Sequence, residues 1–81
     1  MEIKELTQKH VEDFSREIPK DMEELKIPQY RGVIVRAAIK AGWFVDALTV
    51  EQVDTMKPKD VRLLFEQVTK VYADAMEVSP S

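Results

Sequence analysis

His10 is the only histidine of this 81-residue chain, and it stands three residues before Asp13 and seven before Glu17. On a helix that spacing lines one imidazole and two carboxylates along a single face, a row able to touch a cation. A hard or borderline metal needs further ligands converging from elsewhere, and nothing in the pattern recommends any. A solvated polar face accounts for the row. Adjacent carboxylates occur at Glu12-Asp13 and Glu23-Glu24, but in charge-rich stretches, where such groups are exposed and not tuned as acid/base pairs. Cysteine is absent, which removes disulfides and thiolate metal sites. The sequence suggests no Ser-His-acid set and contains no glycine-rich phosphate loop. The expectation is a protein without catalytic residues, metal or cofactor.

Cations offer a second chemistry. Lys57, Lys59 and Arg62 surround Pro58, where a short segment gives way to a longer helical pattern. In a helix-turn-helix, these residues would stand at the N-terminus of the recognition helix and could meet nucleic acid. Asp60 and Glu66 share that face, however, and the chain carries a net charge of −3, the wrong sign for an electrostatic nucleic-acid binder. Nucleic-acid binding is therefore the alternative reading.

The third candidate chemistry is apolar recognition. Trp43 and Phe44 lie just past a helix end, while Met56, Tyr72 and Met76 lie on apolar helical faces. Each taken singly fits a core. An 81-residue bundle rarely hides every such side chain, though, and a leftover patch of Trp, Tyr or Met is a natural partner surface. Trp43, Phe44, Met56, Tyr72 and Met76 are thus the expected protein-binding residues, with first-helix charges contributing less than Trp43 or Tyr72.

The elements that must position these side chains are helices. The central stretch YRGVIVRAAIKAGWF, Tyr30 to Phe44, has Arg31, Gly32, Arg36 and Lys40 as its only breaks before Ala41. A helix this apolar is buried on most of its circumference, yet it is far too short and too charged to cross a bilayer. The spacing predicts that it runs from about Gln29 to Ala41, with Gly42 as a left-handed C′ residue. Upstream, Thr7 caps a helix from about Gln8 to Ile18, with Leu6 and Val11 as a staple and Pro19 as the stop. Lys20 to Pro28 reads as a loop with one turn at Asp21–Glu24, anchored by Leu25 and Ile27. Thr49 and Gln52 form a capping box, with Leu48 and Val53 as its staple, for a short helix from Val50 to about Met56. Pro58 then opens a helix to about Met76. Val61, Leu64, Phe65, Val68, Val71, Tyr72, Ala75 and Met76 make its apolar stripe.

The expected fold is all-α, a small bundle of three main helices plus one short helix, in a single domain over residues 1–78 with a frayed tail at 79–81. Hydrophobic residues make up 44% of the chain, enough for one core of modest stability that self-association into a homo-oligomer would raise. The N-terminal stretch MEIKELTQKH lacks an apolar signal region, so the expected location is the cytoplasm.

Three stretches resemble the tail assembly chaperones and related prophage proteins of long-tailed bacteriophages. They are VRAAIKAGW (Val35 to Trp43), LTVEQVDTMKPKDVR (Leu48 to Arg62) and VTKVYADAMEVSPS (Val68 to Ser81). The shared pattern is an A-G-W helix end, a short capped helix, a proline start, and a last helix closing on Y-x-x-A-x-x-x-x-P. It covers roughly the C-terminal two thirds of the chain and has no counterpart in residues 1–29. The resemblance implies a non-enzymatic helical protein of the bacterial host cytoplasm. Its partners would be the tape-measure protein and the tail-tube subunit, held soluble until the tube polymerises. A client's amphipathic segment would then lie in a groove between the central and last helices.

Overall fold

The computed structural model describes residues 2–21 and 24–76. Four helices follow one another: α1 (Gln8–Glu17), α2 (Ile27–Lys40), α3 (Val50–Thr55) and α4 (Pro58–Met76). No strand occurs among the described residues, so the fold is an all-α bundle of three longer helices and a short one. Its helices hold to the expected positions within two residues at each end. Residues 77–81, which include the expected tail at 79–81, lie outside the described residues, as do Met22 and Glu23 of the expected turn. At that turn, the Glu24 N–H donates to the Asp21 carbonyl at 3.2 Å.

Local chemistry explains where each helix stops and starts. Ile18 leaves α1 in extended backbone, φ −84° and ψ 123°, because the following Pro19 disfavours helical geometry in the residue before it. Proline acts the other way at α2. Pro28 sits inside the first turn, where no helical bond needs its missing N–H. The helix consequently begins at Ile27, two residues before the expected Gln29. Gln29 supports that start by accepting the Lys26 N–H on its Oε1 at 3.2 Å. In α3 the Gln52 Oε1 accepts the Thr49 N–H at 2.7 Å, the returning half of the capping box. At α4 the Lys57 carbonyl receives the N–H groups of both Asp60 and Val61.

The core forms around α2, which packs against each of the other three helices. Gly32, Ile34, Val35, Ala37 and Ala38 are buried along it. Phe14 of α1, Val53 of α3, and Leu64 and Val68 of α4 pack with Ile34, Val35, Ala37 and Ala38 in one core. α2 and α4 run in the same general sense. Tyr30 in the first turn of α2 meets Phe65 in the first half of α4 edge-on, with centroids 5.7 Å apart, and Trp43, just past the end of α2, meets Tyr72 in the second half of α4 at 6.3 Å. The bundle thus has two ends, one holding the starts of α2 and α4 with α3, the other holding Trp43.

Candidate functional site

At the second end, Gly42 adopts φ +75°, the left-handed conformation that glycine takes without steric cost. Its N–H donates to the Ile39 carbonyl, and that of Trp43 to the Ala38 carbonyl, both at 3.0 Å. These two bonds make a complete Schellman motif, which turns the chain back over the end of α2. The turn drives the indole inward. Trp43 Nε1 donates to the His10 carbonyl at 2.9 Å, and its ring lies 4.5 Å from that of Phe14. Phe14 in turn lies 5.2 Å from Tyr72. The N-terminal lead closes the arrangement from outside, with Lys4 N–H donating to the Trp43 carbonyl at 2.7 Å and Val45 N–H to the Glu2 carbonyl at 3.0 Å. Ile3 pairs with Phe44 across this short antiparallel bridge.

That geometry corrects the expectation that Trp43 and Phe44 lie on a partner-binding surface. Trp43 is wholly buried and Phe44 nearly so, because the Schellman turn and the N-terminal lead fold them under cover. Tyr72 is half-buried against Phe14 and Trp43. Met76, on the last turn of α4, is half exposed. Met56 alone of the five reaches the other end of the bundle. The five residues do not form one patch.

The concavity lies at that other end. An open groove of about 590 Å³ runs between the first half of α2, the end of α3 and the start of α4. Leu25, Pro28, Val33, Val53, Met56 and Val61 give it apolar walls, and Arg31, Arg36 and Asp54 are its charged lining. Arg36 donates to Asp54, tying α2 to α3 along one side. The guanidinium reaches there by lying back across Gly32, where a Cβ would stand only 2.9 Å from Arg36 Nη1. Gly32 therefore makes room for an arginine side chain one turn along its own helix. A smaller hollow on α4, lined by Met56, Leu63, Leu64 and Gln67 together with Asp60, adjoins the groove through Met56. Leu63 there is half exposed, and Ile27, beside the groove's Pro28, is 66% exposed.

Most of these residues were not recognisable as a site. Leu25 reads as an anchor of the loop that ends at Pro28, and Val61 as part of an apolar stripe, since periodicity reports which face is apolar and not whether a neighbour covers it. One signal is present, a glycine one turn before an arginine on a largely apolar helix, which marks room for a folded-back side chain.

The remaining candidates separate. His10 Nδ1 accepts the Thr7 N–H at 3.0 Å, so the imidazole serves the N-terminus of α1. Asp13 pairs with Arg16 at 2.9 Å, and Glu17 lies 3.8 Å from Lys40 of α2. Among the described residues, no group of three or more His, Asp or Glu side chains is placed to hold a metal ion. Glu12 and Glu24 are exposed, and Glu23 lies outside the described residues. Lys57, Lys59 and Arg62 are exposed on the first turns of α4, where Arg62 Nε stands 3.7 Å from Glu66. No helix among the described residues is long and apolar enough to cross a membrane.

The chain matches no protein-family model, no curated protein and no solved structure with which it was compared.

Proposed function

We propose that this chain is a non-enzymatic protein-binding module that works as a tail assembly chaperone, in keeping with the resemblance of its C-terminal two thirds. In this reading it holds unassembled tape-measure or tail-tube protein in the bacterial host cytoplasm. The observation that carries the proposal is the open groove between α2, α3 and α4, whose walls are largely apolar. An amphipathic segment of a client would seat its apolar face there, excluding water from Val33, Met56 and Val61. The acidic chain as a whole, at −3, would keep the complex soluble and make copies repel one another. The site differs from the one expected around Trp43 and Tyr72, and Met56 is the residue common to both.

Co-expression with a tape-measure or tail-tube protein, followed by size-exclusion chromatography, tests this reading. Co-elution is expected, together with its loss in Met56→Glu, a half-buried position whose variant can be checked for folding by circular dichroism. Separate elution from both clients, or unchanged co-elution of a folded Met56→Glu, would overturn it. A second reading takes the exposed Lys57, Lys59 and Arg62 as a nucleic-acid contact. It requires salt-sensitive retention on heparin that falls when all three are changed to alanine.

A further inference from the structure

The groove differs in charge from the rest of the molecule. The chain has 15 acidic and 12 basic side chains, yet among the described residues the lining holds two arginines and one aspartate. Arg36 and Asp54 neutralise each other across the α2–α3 contact. Among the described residues, Arg31 is left as the uncompensated charge of the lining. It is half-buried in the lining and has no ion pair among the described residues. The chain neighbours of the lining residues extend the same sign, since Lys26, Lys57, Lys59 and Arg62 outnumber Glu24 and Asp60 there, and all six are exposed.

From this we infer that the groove accepts an acidic amphipathic helix, its apolar residues seated on Val33, Met56 and Val61 and one of its carboxylates held by Arg31. The inference rests on the docking role proposed above and specifies the chemistry of the occupant. A guanidinium presents a planar fork of donors that matches a carboxylate with two parallel bonds. Arg31 is itself half-buried, and a partly buried pair is screened by salt less than one made by an exposed lysine. Phosphate on a nucleic acid would also suit an arginine. The apolar walls then go unused, however, and the lining also carries the carboxylate of Asp54. The pairing also sets orientation. Arg31 lies on α2 and Met56 beyond the end of α3, so an occupant joined to both spans the groove in one direction. A peptide with the opposite charge would meet an unpaired arginine as it buried its apolar face, a penalty that discriminates between clients.

Fluorescence anisotropy with two labelled synthetic helical peptides tests the inference. Both carry the same leucine face, and their polar faces are built from glutamate in one and lysine in the other. The glutamate peptide is expected to bind about tenfold more tightly, and Arg31→Glu to weaken it about tenfold. Lys70→Glu, an equal change in net charge on an exposed position of α4 outside the groove lining, should leave the affinity within about twofold. Equal binding of the two peptides, equal loss from Arg31→Glu and Lys70→Glu, or displacement of the glutamate peptide by single-stranded DNA would each overturn the inference. Failure of both peptides to bind, while a tail client still co-elutes through Met56, would overturn the acidic assignment and leave the docking role standing. Failure of peptides and clients alike would overturn both.

Discussion

The two ends of the bundle use similar residue types to opposite effect. At one end, Trp43, Phe14 and Tyr72 interlock, and the N-terminal lead seals them with backbone hydrogen bonds. At the other, Met56, Val61 and Val33 stand around an unfilled groove bridged by one exposed ion pair. Composition does not separate the two, as both are apolar and both sit where α2 meets α4. What differs is whether another segment arrives to cover them. Residues 2–4 and the Schellman turn perform that service for Trp43. Nothing comparable crosses the groove among the described residues. An apolar surface that the chain covers itself contributes to stability, and one left open is available for recognition.

This contrast is sharpest in the response to truncation. Trp43→Ala should cost about 3–5 kcal/mol of unfolding free energy, a large part of what so small a domain commands. Met56→Ala, half-exposed at the groove, should cost about 1–2 kcal/mol. Urea denaturation of the pair decides the matter, and equal losses would erase the distinction between a structural end and a binding end.

Gly42→Ala probes the same end through the backbone alone. Nothing lies within 4 Å of where its Cβ would be, so the whole cost comes from placing a side chain at φ +75°, about 1–2 kcal/mol. A melting temperature unchanged within error would mean that the turn does not hold Trp43 in place.

At the open end, Gln52→Ala removes the acceptor for the Thr49 N–H and should cost about 0.5–1 kcal/mol. Thermal unfolding reads this, and the α3 amides should exchange faster in the variant than in the parent protein.

The smallest effect belongs to Asp54→Asn. Its pair with Arg36 is substantially exposed, with side-chain accessibilities of 62% and 35%, so the loss should fall below about 1 kcal/mol and shrink further in salt. Gly32→Ala sharpens the point. Alanine improves helix propensity by about 1 kcal/mol but displaces the Arg36 guanidinium from its seat. A double-mutant cycle between Gly32→Ala and Asp54→Asn should show coupling, and strict additivity would mean that Arg36 reaches Asp54 without needing the glycine.

How much of this was legible in the sequence follows from the range of the interactions involved. The capping box at Thr49 and Gln52, the stop at Pro19 and the start at Pro58 act within four residues, and the helices obey them. The start of α2 lies two residues before the expected Gln29, because proline is accepted inside the first turn of a helix and Lys26 is not a usual capping residue. Trp43 was misplaced for a different reason. Helical periodicity assigns a face to every residue up to Ala41, then gives none to the residues beyond Gly42. The burial of the indole depends on the His10 carbonyl, 33 residues away, a contact that no local pattern encodes. The groove was the least readable feature. It consists of the space left where α2, α3 and α4 diverge, and residues lining a space look the same in sequence as residues filling one.

Trp43 is the single tryptophan of the chain, and the fold places it far from where a client is proposed to sit. Its emission is therefore an optical report on one half of the molecule only. Unfolding moves the indole into water and shifts its spectrum to the red, whereas a peptide bound in the groove as proposed would not touch it. Stability can accordingly be followed by intrinsic fluorescence while occupancy is followed by a label on the peptide, in the same cuvette and without one signal contaminating the other.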